Sequence, residues 1–258
     1  MTERARSFGA AAAAYERFRP GYPAELFELV AAYAGRPPRT ALEIGAGTGK
    51  ATRLFAGRGV AVTATDPDPA MLAELRTHVP DGVRTVCAAY EDVPTDQRYD
   101  LVYAAAALHW TTPEGRWERT AALLEPGGVF TSFGGQFHLA DPAVEEAVRS
   151  AQAPYLDSAD VLPPGEHEPE PGGMAWPGPE LRRARWFTDV RQHTVERRPT
   201  LDAGAYVDHL STVSAYLVLP AAERAEVFRR VRAVLPGTVG LVADITVHLA
   251  RRSTDGSG

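Results

Sequence analysis

Leu42-Glu43-Ile44-Gly45-Ala46-Gly47-Thr48-Gly49 is a short apolar run that breaks into three alternating glycines, followed by the helix-like segment Lys50 to Ala56. Read with Thr40 and Ala41, the apolar run is a strand, and the glycines form the turn at its carboxyl end. Glycine there lets the backbone reverse sharply and approach a ligand closely, at the edge where open α/β sheets bind their ligands. The spacing excludes two phosphate-binding patterns. A dinucleotide fingerprint needs glycine where Lys50 stands, and a P-loop needs glycine at Ile44 and a hydroxyl residue at Ala51.

Beyond that turn the chain keeps an α/β rhythm. The run Val60 to Thr65 is a second strand and ends in Asp66, 17 residues past Gly49. A carboxylate at that point can accept hydrogen bonds from both hydroxyls of an adenosine ribose. Further strands are expected at Val83 to Val86, Leu101 to Tyr103 and Val129 to Phe133, with helical segments at 68–77 and 113–124. Upstream, residues 24–34 carry Leu26, Phe27, Val30 and Tyr33 at helical spacing and are stopped by the glycine and prolines of GRPP. Strands alternating with helices predict a parallel sheet with crossover helices.

The second half departs from this pattern. Residues 153–180 are dense in Pro, Gly and Glu and carry no apolar periodicity, so they read as a loop or lid. A strand follows at Thr188 to Glu196, then helices at 203–219 and 221–235, the latter with Val227, Phe228, Val231, Val234 and Leu235 on one face. From Leu241 to Ala250 apolar and polar residues alternate strictly, the signature of a half-exposed or antiparallel strand. The tail RRSTDGSG reads as frayed.

The bulk figures limit the chemistry. A chain of 258 residues with 45% hydrophobic and 23% charged composition suits one α/β core carrying a cap. The net charge of -6, with no concentrated basic stretch, argues against a nucleic-acid partner. No apolar run is long enough to span a bilayer and the N-terminus lacks a secretory pattern, so the expected location is cytoplasmic, with no membrane partner. Cys87 is the one cysteine and reads as a small buried residue, and the seven histidines show no ligand pairing, so no metal is expected.

These motifs resemble the class I S-adenosylmethionine-dependent methyltransferases, specifically the small-molecule branch called the type 11 methyltransferase domain. The resemblance covers residues 8–136 well. It implies a Rossmann-like α/β fold: a seven-stranded, mostly parallel sheet with an antiparallel last strand and helices on both faces. A cap would come from the N-terminal helices and the insertion after strand five. The organisation implied is one domain over 1–258, with 36–136 the cofactor-binding core, 1–35 and 137–238 lid and cap, and 239–252 the final strand.

The same resemblance implies a site bound to S-adenosyl-L-methionine. Glu43, Gly45, Gly47 and Gly49 would line the methionine end, Asp66 would hold the ribose, and Pro67 and Met71 would pack near the adenine. In CAAYEDVP, Ala89 stands where many relatives have an aspartate for the adenine amino group. That contact then falls to Glu91, or to the backbone and ring of Tyr90. Ala104 would offer a carbonyl near the cofactor amine. Tyr15 and Arg19, in SFGAAAAAYERFRPGYP, would close over the cofactor, the arginine pairing with its carboxylate; an ordinary helix-face pair is the plainer reading. His109 and His138 are candidate bases, with a structural role as the rival for His109. Trp110, Trp176, Trp186 and Tyr216 are candidates for an aromatic substrate pocket.

The expected reaction is methyl transfer to an O, N or C atom of a small molecule. The arginine-, glycine- and proline-rich composition associates this branch with tailoring of secondary metabolites. The alternatives are a cofactor-binding protein of this fold with non-methylating chemistry or a regulatory role, and a nicotinamide-dependent oxidoreductase, which Lys50 disfavours. The chain would act as a monomer or homodimer.

Overall fold

Strand β1 (Thr40–Ile44) has Ala41, Leu42 and Ile44 buried on both faces, which is why it reads as an unbroken apolar run. It lies parallel to β2 (Ala61–Asp66) on one side and β4 (Tyr99–Ala105) on the other. Strand β3 (Arg84–Cys87) flanks β2, and β5 (Leu124–Gly134) flanks β4, again in parallel. Strand β10 (Ile245–Arg252) then runs antiparallel to β5, and β7 (Phe187–Val195) antiparallel to β10. The sheet therefore has seven strands in the order β3-β2-β1-β4-β5-β10-β7, with β10 alone reversed. These features come from a computed structural model that describes residues 12–156 and 173–254.

Helices cover both faces. On one, α2 (Glu25–Ala34) and α3 (Lys50–Ala56) bury Leu26, Phe27, Val30 and Phe55, and the Phe55 ring lies 4.4 Å from that of Tyr103. Leu72 and Leu75 of α4 (Pro69–Arg76) join the same cluster, and Asp68 caps that helix by accepting from the Ala70 amide at 2.9 Å. On the other face, α5 (Arg116–Ala122) inserts Trp117 and α7 (Gly178–Arg183) inserts Leu181 against Phe130 and Phe187.

The cap has a core of its own. Helices α6 (Pro142–Gln152), α8 (Ala203–Leu210), α9 (Ser214–Leu217) and α10 (Ala221–Val234) pack Val148, Tyr206, Val207, Tyr216, Val227 and Val231 together. A second sheet of three short antiparallel strands completes it: β6 (His138–Leu139), β9 (Thr238–Val242) and β8 (Thr200–Asp202). Helix α1 (Ala12–Phe18) lies between cap and sheet edge.

Several sequence expectations change. The alternating run Leu241 to Ala250 is two strands in two sheets, broken at Ala243 and Asp244, where Asp244 accepts from the Arg197 amide and pairs with Arg198. Alternation survives such a break because both pieces are half-buried. The helix expected at 203–219 is divided at 211–213 into α8 and α9. In α10 the buried stripe is Val227 and Val231, while Val234 is 41% exposed. Cys87 is exposed, because β3 is an edge strand. Of the stretch 153–180, residues 157–172 lie outside the described residues, and α7 begins at its end. Arg251 and Arg252, read as part of a frayed tail, belong to β10; residues 255–258 lie outside the described residues.

Candidate functional site

A cavity of about 320 Å³ opens at the carboxyl edge of the parallel strands, roofed by α1 and the cap. Its floor is the turn after β1. Gly45, Gly47 and Gly49 have φ of 63°, 54° and 83°, the left-handed region that side chains resist. A Cβ on Gly45 would lie 2.6 Å from the Ala107 Cβ, so glycine is also what lets the segment after β4 close against the turn. At Gly47 nothing lies within 4 Å of the position a Cβ would take.

Opposite the turn stands Asp66. Its Oδ2 accepts from the Gly47 amide at 2.9 Å and its Oδ1 from the Asp68 amide at 2.9 Å. Each oxygen keeps a lone pair for a further donor. Burial raises the Asp66 pKa above the usual aspartate value, against the pull of the two amides. Pro67, Met71, Ala88, Tyr90 and Glu91 continue this wall. Tyr90 anchors itself through its hydroxyl, which donates to the Arg116 carbonyl at 3.1 Å and lies 2.7 Å from Thr120 Oγ1. Glu91 Oε1 accepts from the Thr112 amide.

Glu43 lies beneath the turn, 1% exposed, with Oε2 accepting from Thr52 and Tyr103. Desolvation pushes its pKa up to about 8, although both hydrogen bonds favour the carboxylate. On the opposite wall, Arg19 donates from Nε to Thr212 Oγ1 at 2.8 Å, and its guanidinium lies over the Tyr15 ring. Helix α1 is clasped to α3 by Glu16, which binds Arg53 at 2.8 Å and Lys50 at 3.4 Å. His109 sits in a short 3-10 turn, Leu108–Trp110, beside the Trp110 ring. Burial, with the nearby charge of Arg116, lowers its pKa to about 4, so it is neutral at physiological pH.

Tyr15, Arg19, Glu43, Gly45, Gly47, Asp66, Pro67, Met71, Tyr90, Glu91 and His109 thus share one cavity. Four other expected residues stand outside its lining. Gly49 faces the Leu75 side chain as the residue that opens α3. Ala104 is held inside the sheet, in register with Ile44 and Ser132, and the chain reaches the cavity only at Ala105 to Ala107. Ala89 precedes the turn of Tyr90 and yields its place to Ala88. His138 is displaced because β6 pairs with β9; its side chain is 54% exposed, with Nδ1 3.6 Å from Glu145. Of the four candidate aromatic residues only Trp110 lines the cavity, since Tyr216 packs on Phe228 in the cap core and Trp176 donates to Glu180.

Among the cavity residues that escaped the sequence reading are Tyr22, Arg197, Tyr206 and His209. His209 is 4% exposed and stacks on Phe137 at 4.4 Å, and burial holds its pKa down at about 3. Its place on the inner face of an amphipathic helix was the only available signal. Among the described residues no group of side chains is arranged to hold a metal ion, and no helix is long and apolar enough to cross a membrane.

A glycine turn facing a strand-terminal acid, in a sheet of this order, defines a Rossmann-like methyltransferase. The comparisons agree. A model of the methyltransferase domain matches residues 41–128. An uncharacterized methyltransferase of Mycobacterium tuberculosis is 31% identical over 229 residues, covering 89% of this chain and 85% of that protein. The trans-aconitate 2-methyltransferase of Variovorax paradoxus is 31% identical over 209 residues, 75% and 73% of the two chains. The solved structure of a candidate type II methyltransferase from Anaeromyxobacter dehalogenans superposes with a TM-score of 0.60 at 25% identity, covering 92% of this chain and 97% of that one. The chain belongs to the class I S-adenosylmethionine-dependent methyltransferases of the small-molecule type, and S-adenosylmethionine is its cofactor.

The cavity's chemistry fits that cofactor. Asp66 and Glu91 place carboxylates on the sheet side, complementary to an ammonium and to ribose hydroxyls, and Arg19 offers a cation for a carboxylate.

Proposed function

We propose that this enzyme methylates a small molecule enclosed between the sheet edge and the cap. The observation that carries the proposal is a cavity walled by both layers, with the glycine turn on one side and cap residues such as Tyr206 and His209 on the other. A trans-aconitate 2-methyltransferase among the relatives, by its name, acts on a molecule of that size.

In this reading Asp66 accepts from the ribose hydroxyls, Met71, Pro67 and the Tyr90 ring flank the adenine, and Arg19, steadied by Thr212 and Tyr15, pairs with the cofactor carboxylate. Gly45 and Gly47 let the backbone approach the methionine portion, beside Glu43. When bound, the cofactor supplies an electrophilic methyl group on a sulfonium. The protein's task is then alignment and exclusion of water, which a closed cap provides. Neutral His109 has a lone pair with which to accept a proton from a hydroxyl acceptor, whereas an acceptor without a proton to lose needs only positioning.

The test is transfer from methyl-labelled cofactor into a cell extract split into low-molecular-mass, protein and nucleic-acid fractions. Label in the first fraction supports the proposal, and label confined to either of the others contradicts it.

A further inference from the structure

The charges of the cavity are segregated. Its carboxylates Asp66 and Glu91, with Glu43 kept largely protonated by burial, lie on the sheet side, and two of its cations, Arg19 and Arg197, lie at the bend just after α1 and on the connection between β7 and β8. The third cation, Lys50, is satisfied by Glu16. Neither Arg19 nor Arg197 forms an ion pair among the described residues, and Asp244, which accepts from the Arg197 main-chain amide, pairs with the Arg198 side chain instead. A half-buried guanidinium without a counter-ion is costly unless an anion arrives to pair with it.

Arg197 is held in place by its own contacts. Its Nη1 donates at 3.3 Å to the carbonyl of Gly21, the residue before Tyr22. The Tyr22 ring is braced edge-on against Phe133 with centroids 5.0 Å apart. Its hydroxyl lies within the electrostatic reach of Tyr15 and Glu43 and, more weakly, of Arg19 and Arg197, and makes no hydrogen bond to another described residue. Burial keeps this phenol protonated, hence a donor. His209, neutral, adds no charge, and Gln136 and Ser214 supply uncharged polar groups.

We infer that Tyr22 and Arg197 form a carboxylate-binding subsite for the methyl acceptor, so that the substrate is a small carboxylic acid anchored by its carboxylate at the cap end of the cavity. The inference rests on the methyltransferase reading above, in which Arg19 serves the cofactor carboxylate and leaves Arg197 for the acceptor. One guanidinium and one phenol supply donors for the two oxygens of a carboxylate.

The test uses the full chain saturated with S-adenosylhomocysteine. It is titrated with fumarate, benzoate and tricarballylate, and with fumaramide and benzamide as uncharged controls. At least one acid is expected to bind ten-fold or more tightly than its amide. Arg197→Gln and Tyr22→Phe should remove that preference while leaving the affinity for S-adenosylhomocysteine within two-fold, and Arg197→Lys should restore part of it. Equal binding of acids and amides, no binding of any acid, or an acid preference that survives Arg197→Gln would overturn the inference. Failure of S-adenosylhomocysteine itself to bind would instead overturn the underlying reading.

Discussion

Arg19 and Thr212, 193 residues apart, are joined twice: Nε of the arginine donates to Oγ1 at 2.8 Å, and Nη2 to the main-chain carbonyl at 3.2 Å. Thr212 is fully buried and donates its own hydroxyl to the His209 carbonyl, so it relays the cap's geometry to the lid helix. Thr212→Val keeps the shape and removes the acceptor. We expect it to lower stability by about 1.5–3 kcal/mol, the range for hydrogen bonds to charged groups. It should also weaken cofactor binding, because Arg19 loses its orientation. Calorimetry and urea unfolding check both, and a variant that matches the wild type in each would remove Thr212 from the account.

The clasp of α1 on α3 gives a second expectation. Burial would raise the Glu16 pKa, but the hydrogen bond from Arg53 and the charges of Lys50 and Arg53 hold it below the usual value. Glu16→Gln leaves Lys50, whose side chain is 10% exposed, without a counter-ion. The cost should be about 1–3 kcal/mol after allowance for partial solvation. Limited trypsin digestion should then cut at Arg17 and Arg19 faster than in the wild type; an unchanged digestion rate would mean that the lid is held by other contacts.

Gly45 combines a positive φ with a close neighbour, whereas Gly59, at φ 82°, has nothing within 4 Å of its Cβ position. Each alanine variant should lose about 1–2 kcal/mol from backbone strain. Only Gly45→Ala should also impair S-adenosylhomocysteine binding, by ten-fold or more, since it displaces Ala107 at the cavity floor. Equal effects of the two variants on binding would contradict the assignment of the turn.

The buried titratable groups set a pH profile for the ligand-free protein. His109, His209 and His248 have pKa values lowered by burial from 6.5 to about 4, 3 and 4, so below 6.5 the unfolded chain takes up protons that the folded chain refuses. Stability from these groups is complete above 6.5 and is lost as pH falls towards 4. Glu43 acts oppositely: burial raises its pKa from 4.5 to about 8, so its protonated form stabilises at low pH and that contribution is lost as pH rises through that interval. Three histidines outweigh Glu43 below 6.5 and the Glu43 loss prevails just above it, which places the maximum near pH 6.5. Thermal unfolding in wild type and Glu43→Gln tests this. The variant should lose the decline on the alkaline side, and a decline that persists unchanged would assign it elsewhere.

What was legible in the sequence was what depends on local pattern. The glycine turn, Asp66 and the bounds of β1 and α3 follow from neighbours in the chain, where an apolar run buried on both faces must end before a backbone that turns. The cap end of the site was not legible. Arg197 reaches the cavity from the connection between β7 and β8, and Tyr22 and His209 meet there only because the connection after α1 and helix α8 fold over the same edge. His138 follows strand five as expected, but pairing with Val242 turns it outward. The run from Leu241 to Ala250 shows the same limit, because alternation records half-burial and not which sheet a strand joins.

The central claim is that the turn from Gly45 to Gly49 and Asp66 together bind S-adenosylmethionine. Calorimetric titration of the purified chain with S-adenosylhomocysteine, repeated on folded Asp66→Ala, tests it most directly. The account predicts binding in the micromolar range, about -8 kcal/mol, weakened at least ten-fold in the variant. No binding by the wild type, or equal binding by both proteins, would contradict it.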